Sequence, residues 1–178
     1  MNSHTTEGII IKRKNFGEAD RILTVFSKNN GKIQVIAKGV RKISSKRSSH
    51  IELLNHSVLS YHEGKALTLT EAETLNHYSS LKSDLKRAGF AFYVCELVNG
   101  LCAEQEENRA VFGLLANTLR DLEETEEHKD LINKFEQELL ILLGFWPREK
   151  MFAIDTSEFI EDIMEKKIKT KRLLPDFF

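Results

Sequence analysis

Apolar and polar positions alternate with a period of two through the first eighty residues and with a period near 3.6 afterwards, the change falling close to Ser79. A period of two marks strands with one buried face, and 3.6 marks helices with one apolar stripe. Gly8-Ile9-Ile10-Ile11 is a β-branched run that ends in Lys12-Arg13-Lys14. The runs Arg21 to Phe26 and Lys32 to Ala37 flank Lys28-Asn29-Asn30-Gly31, where Asn-Gly predicts a hairpin because both residues tolerate positive φ. In the third run Ile33, Val35 and Ala37 alternate with Lys32, Gln34 and Lys38, so one face is buried and the other is wet and basic. Leu54 to Tyr61 is a fourth strand, and His62-Glu63-Gly64-Lys65 turns it into a fifth, Ala66 to Thr70.

Five short strands with one long polar connection, Gly39 to Ser49, predict a small barrel of OB type over residues 1–78. The connection has little to bury and several bases to solvate, so a mobile loop is expected. Residues 79–178 read as an α-helical bundle, which makes the fold class β + α. Ala91, Val94, Cys95, Val98 and Leu101 mark one face of a helix over roughly 80–103. Val111, Leu115, Leu119 and Leu122 mark a second; Leu131, Phe135, Leu139, Leu142 and Leu143 mark a third, which Gly144 stops and Pro147 cannot continue. A fourth runs around Ser157 to Lys169. The acidic clusters Glu104–Glu107 and Glu123–Glu127 read as solvated caps between helices.

Charge sharpens this division. Eleven basic and two acidic side chains lie between Gly8 and His50, a local net charge of +9 in a chain of net charge −1. Residues 1–80 carry +5 and residues 81–178 carry −6, a sign change that points to two units with different partners. A basic field interleaved with strands suits a phosphate backbone. The nucleic-acid contacts expected from it are Lys12, Arg13, Lys14, Arg21, Lys38, Arg41, Lys42, Lys46 and Arg47. Among the aromatic residues Phe16, Phe26 and Tyr61, Phe26 reads as core, and Phe16, in a polar loop, is the stacking candidate.

Other chemistry finds little support. No Gly-x-x-x-x-Gly-Lys-Ser/Thr loop or Gly-x-Gly-x-x-Gly is present to cradle a nucleotide, so neither a cofactor nor enzymatic turnover is expected. Cys95 and Cys102, seven apart on one helix, are beyond disulfide reach and read as reduced core thiols of a cytoplasmic protein. No metal is expected, because the cysteines lack a Cys-x-x-Cys spacing and the six histidines do not cluster; His56 and His62 read as a surface pair on one strand. The polar start, Met1 to Gly8, reads as no signal peptide, and no apolar run has the length that spans a bilayer. Barrel and charge alone leave three readings open: a DNA-binding mediator, an RNA-binding OB module, or a non-catalytic interaction scaffold.

Particular residues narrow the choice. Thr6-Glu7-Gly8-Ile9-Ile10-Ile11, Phe16-Gly17-Glu18-Ala19-Asp20-Arg21-Ile22-Leu23, Gly31-Lys32-Ile33 and Ala37-Lys38-Gly39-Val40-Arg41-Lys42 resemble the bacterial RecO family of recombination mediators. Leu67 to Glu73, Asp84-Leu85 through Glu96-Leu97, and Leu142-Leu143-Gly144-Phe145-Trp146-Pro147 extend the resemblance over about residues 5–147. It implies a protein that binds single- and double-stranded DNA and anneals complementary strands in the bacterial nucleoid. It also implies that the protein engages the C-terminal tail of single-strand-binding protein and, with RecR, helps load RecA. Family members of the usual length continue into a Cys-x-x-Cys zinc-finger-like segment. Arg148 to Asp155 holds no cysteine, so a short form without zinc is expected. Within the shared motif, Glu18 and Asp20 are read as orienting Arg21. An acidic tail with an aromatic end needs a base beside an apolar pocket, and Lys82, Lys86, Arg87 and Phe90, at the start of the first helix, are the expected place.

Overall fold

The computed structural model describes residues 2–178. Five strands come first: β1 (Ser3–Phe16), β2 (Asp20–Ser27), β3 (Gly31–Ala37), β4 (His56–His62) and β5 (Thr68–Asn76). They close into a barrel in the order β1-β2-β3-β5-β4, which is the OB-type arrangement expected from the sequence. Ile10, Leu23, Val25, Ile33, Val35 and Leu59 fill its interior, one inward side chain at every second position. β1 is long enough to serve two neighbours. It pairs with β4 over Ser3–Ile9 and with β2 over Gly8–Phe16, and a bulge between Ile10 and Lys12 lets it bend from one to the other.

The hairpin between β2 and β3 differs from the expected Asn-Gly turn. Its last pair is Ser27 with Gly31, so the loop is Lys28-Asn29-Asn30, and Gly31 alone takes positive φ, at 63°. Ser27 supplies the missing polar contacts: its Oγ accepts from the Asn30 amide at 3.1 Å and donates to the Gly31 carbonyl at 2.9 Å. Gly31 is required for a second reason, since a Cβ there would lie 2.0 Å from the Glu106 carbonyl oxygen.

That contact exposes a boundary the sequence hid. The chain divides into two compact units, residues 1–77 with 103–109, and residues 78–102 with 110–178. Residues 103–109 therefore belong with the barrel rather than with the helices around them. Glu104 forms a parallel bridge with Lys32, Gln105 N–H donates to the Lys32 carbonyl at 2.9 Å, and Gln34 donates to the Glu104 carboxylate at 3.0 Å. The first acidic cluster thus covers a strand edge instead of capping a helix.

The helical unit contains α1 (Ser79–Ser83), α2 (Leu85–Leu101), α3 (Arg109–Glu124), α4 (His128–Leu142), α5 (Thr156–Met164) and α6 (Lys169–Leu173). The single helix expected over 80–103 is broken at Asp84, whose extended backbone ends α1 and whose carboxylate accepts from Arg87 N–H at 2.8 Å to start α2. Buried residues surround α2 on nearly every side, Phe90, Tyr93, Val94 and Leu97 among them, so it has no single apolar face. The apolar face of α3 is the one expected. That of α4 is turned: Ile132, Phe135, Leu139 and Leu140 are buried with His128 and Glu136, while Leu131, Leu142 and Leu143 are half-buried. Glu136 is tolerated there because Tyr93 Oη and Thr156 Oγ1 both donate to it. Burial still pushes its carboxyl above the usual range, the two hydrogen bonds opposing. Both cysteines are buried thiols, and burial pushes Cys95 up to about 12, where a thiol is unreactive. No helix among the described residues is long and apolar enough to cross a membrane.

His128 is buried with neither ring nitrogen hydrogen-bonded, its ring 5.3 Å from that of Phe90. Burial first, and then Lys86 and Arg87, hold its pKa below 6.5, with Glu126 and Asp84 opposing. The unfolded chain then takes up a proton that the folded chain resists, so stability present above pH 6.5 is lost as the pH falls through the folded pKa. Glu136 acts with the opposite sign. Thermal unfolding between pH 7 and pH 5 is therefore expected to show a loss of Tm with acid that is smaller in His128→Phe and His128→Leu. Equal pH slopes in parent and variants contradict this role.

Candidate nucleic-acid interface

The barrel sorts its basic residues by side-chain type. Beyond the bulge, β1 places Lys12, Lys14 and Phe16 on its outer face, and Arg13 and Asn15 on the other. Lys12 pairs with Thr24, Lys14 with Ile22 and Phe16 with Asp20 across β2, while Thr24 and Ile22 pair with Gln34 and Ile36 of β3. The outer face of β1-β2-β3 is thus a shallow platform with half-buried Ile22 and Ile36 at its middle. Lys12, Lys14 and Phe16 stand along one edge, and Lys38 follows β3 at the other. Phe16 is 50% exposed at the last position of β1, paired in register rather than in a free loop. Phe26 is core, as the pattern required. Tyr61 is core as well, only 4% exposed, and so offers no stacking surface.

The arginines are used otherwise. Arg13 donates to Glu52 at 2.5 Å, and Arg21 Nη1 lies 3.7 Å from the same carboxylate, too far for a hydrogen bond. Arg21 Nε donates instead to Asn15 Oδ1 at 3.4 Å, with Glu52 its nearest carboxylate, and the role expected of Glu18 and Asp20 is corrected: Asp20 accepts from the Gly39 amide at 2.7 Å. Burial and the neighbouring Arg13 hold Arg21 below its ordinary pKa, with Glu52 opposing and Arg41 adding to the repulsion. Arg41 N–H donates to the Ala19 carbonyl at 2.9 Å, and its guanidinium to that of Gly17 at 3.2 Å, which ties the β1–β2 turn to the chain leaving β3.

Arg47 closes the barrel. β3 and β5 pair in parallel at one position, Ile36 with Thr68, supported by Ile36 N–H to the Leu67 carbonyl at 2.8 Å. Above that point Arg47 donates to the carbonyls of Lys38 at 2.8 Å and Leu69 at 2.9 Å, with Thr70 at 3.4 Å. Its fork spans the gap between the two strands. The long connection, expected to be mobile, is therefore anchored at both ends, by Arg41 and by Arg47, and finishes in a 3-10 turn over Ser48–Ile51.

Lys12, Lys14, Lys38, Lys42 and Lys46 are exposed, and none forms an ion pair among the described residues. The structure thus brings Phe16, these five lysines and Arg41 to the surface, and engages Arg13, Arg21, Arg41 and Arg47 in ion pairs or hydrogen bonds within the barrel unit. The second expected site does not assemble in the expected form. Phe90 is fully buried, and Arg87 is engaged by the Glu123 carbonyl and the Glu126 carboxylate; Lys82 and Lys86 remain at the surface. The His56 imidazole also differs from a solvated surface group, bonding Glu7 at 2.8 Å, while Glu7 accepts from Lys28 at 3.0 Å. Burial acts to raise the Glu7 carboxyl, but the hydrogen bonds from Lys28 and His56, with smaller Coulomb contributions from both, together hold it below the usual carboxylate range. No group of three or more His, Cys, Asp or Glu side chains among the described residues could hold a metal ion.

Removing Arg47 takes the donor from two partly exposed carbonyls, those of Lys38 and Leu69, at about 1 kcal/mol each because water can replace it. Arg47→Gln is expected to lower Tm by roughly 4–8 °C at the usual slope for a chain of this size. The fivefold Lys→Gln variant at 12, 14, 38, 42 and 46 is expected to stay within about 2 °C of the parent, since exposed unpaired lysines contribute little to folding. Differential scanning calorimetry measures both, and similar losses in the two variants contradict the division.

Comparison with known proteins agrees with this architecture. The model of the recombination protein O N-terminal domain matches residues 1–78, and that of the recombination protein O C-terminal domain matches residues 82–150. A DNA repair protein RecO of Dehalococcoides mccartyi is 40% identical over 143 residues, 80% of this chain and 56% of the relative. Proteins of the same name from a Roseiflexus species and from Moorella thermoacetica are 38% and 36% identical, over 82% and 83% of this chain and 51% and 55% of theirs. The chain spans about half the length of the curated relatives it matches. Both domain models and the relatives named converge on one family, and this chain belongs to it, the RecO family.

Proposed function

We propose that this chain is a DNA repair and recombination mediator that binds single- and double-stranded DNA on the outer face of its barrel and has no catalytic turnover. The observation that carries the reading is the set of five exposed lysines that form no ion pair among the described residues, two of them on the same face of β1 as the exposed Phe16. Cations left uncompensated on a folded surface attract phosphates and release their counterions. Lysine at these positions favours contact independent of base sequence, since an ammonium acts as a point charge.

Annealing of complementary strands follows from the same layout. Lys12, Lys14 and Lys38 border the platform, while Lys42 and Lys46 stand on the anchored connection, so two backbones have separate cations to offset their repulsion. The sequence holds no phosphate-binding loop, so the activity needs no nucleotide hydrolysis. In the mediator role the chain acts with RecR to help load RecA onto DNA coated by single-strand-binding protein. The acidic tail of that protein then meets Lys86 beside Leu85 and Phe92, two exposed apolar residues seven apart on α2. This surface replaces the one that included Phe90.

With five phosphates neutralised, log K against log salt is expected to slope near −3.5 for single strands and near −4.5 for duplex, at about −0.7 and −0.9 per phosphate. The fivefold Lys→Gln variant should flatten both. Titrations of single-stranded DNA, duplex and RNA by fluorescence anisotropy test this. A slope near zero removes the reading, and a marked preference for RNA redirects it to an RNA-binding barrel.

A further inference from the structure

The connection anchored by Arg41 and Arg47 carries an apolar side chain where folding gives no reason for one. Ile43 is as exposed as in an extended peptide, at 108% of the reference area. It occupies the second position of a turn closed by Ser45 N–H to the Lys42 carbonyl at 3.0 Å. A preceding turn is closed by Lys42 N–H to the Gly39 carbonyl at 3.2 Å, with Gly39 at a φ of 67°. Turns of this kind favour Asn, Asp, Ser, Gly or Pro, whereas a β-branched side chain is stiff and gains nothing from water. Both the local conformation and solvation therefore disfavour isoleucine here.

Its surroundings indicate what would cover it. Exposed Lys42 and Lys46 flank Ile43 in the chain, Arg41 lies just before them, and residues 39–50 contain no acid. A single apolar point among cations matches apolar base planes stacked between anionic backbones. The hydrogen bonds of Arg41 and Arg47 hold the base of the projection on both sides, so the tip meets a ligand as a firm knob.

We propose that Ile43 is a wedge that inserts between adjacent bases of bound DNA while Lys42 and Lys46 hold the phosphates on either side. This rests on the DNA-binding reading above and adds to it an opening action on stacked bases. The free energy released by burying one isoleucine is of the same size as that needed to unstack one base step. The two nearly cancel, so the wedge adds little affinity and acts at steps already weakened, such as a mismatch or a junction between single and double strand.

The test uses the full chain and an oligonucleotide with 2-aminopurine at a single-strand/duplex junction, whose fluorescence rises on unstacking. Saturating parent protein is expected to raise the signal. Ile43→Ser is expected to lose most of that rise while its affinity for a single strand stays within about threefold, as the near cancellation requires. Ile43→Leu is expected to keep the rise, because leucine is also an effective wedge. An undiminished rise in Ile43→Ser overturns the proposal, as does an equal loss of affinity for every oligonucleotide. If the parent protein binds no oligonucleotide, the DNA-binding reading itself fails, and the wedge fails with it.

Discussion

The guanidinium of Arg47 holds the seam on which the barrel depends. Every other strand junction is an antiparallel ladder of several pairs, whereas β3 meets β5 in parallel at one pair. A junction that sparse leaves strand-edge N–H and C=O groups unpaired, which is costly in the interior and invites wrong pairing at the surface. Two devices cover it. Residues 104–105 pair with Lys32 at one end of β3, and Arg47 joins Lys38 to Leu69 at the other. A planar fork with five fixed donors suits this task, since it reaches carbonyls on two strands at once.

The same chemistry accounts for the surface. Arginine is weakly hydrated and tolerates partial burial, so it supplies the donors that tie loops to strands. Lysine, strongly hydrated and flexible, is left facing water. Arg13 and Arg21 meet at Glu52, Arg41 fastens the β1–β2 turn, and Lys12, Lys14, Lys38, Lys42 and Lys46 keep their charge uncompensated. The basic segment therefore does two jobs: its arginines and Lys28 are engaged within the barrel unit, and five lysines face solvent. Anchoring the long connection also fixes where its lysines and Ile43 stand, so scaffold and contact surface are linked through Arg41 and Arg47.

Much of this was legible in the sequence where side chains alternate cleanly. The β3 pattern and the apolar face of α3 are as the periodicity gives them, and the closed barrel follows from five short strands. The features that the sequence does not reveal share a cause. The partners of Arg41 and Arg47 are backbone carbonyls, which leave no mark in a sequence, so all nine cations looked equivalent. Glu52, the partner of Arg13 and the carboxylate nearest Arg21, lies more than thirty positions downstream of Arg13. α2 is buried nearly all round, and the helix break depends on Asp84 turning its carboxylate back on Arg87 N–H. The burial of Glu136 is paid for by Tyr93 and Thr156, residues no spacing rule would have joined to it.

The assignment of structural and contact roles within one basic segment can be measured without mutating the protein. Lysine acetylation, read by mass spectrometry at limiting reagent with and without a saturating single-stranded oligonucleotide, reports which ammonium groups the ligand covers. The account expects protection at Lys12, Lys14, Lys38, Lys42 and Lys46, and unchanged rates at the exposed Lys129 and Lys134 of α4. Protection centred on α4, or none at the five barrel lysines while the oligonucleotide is bound, would contradict it.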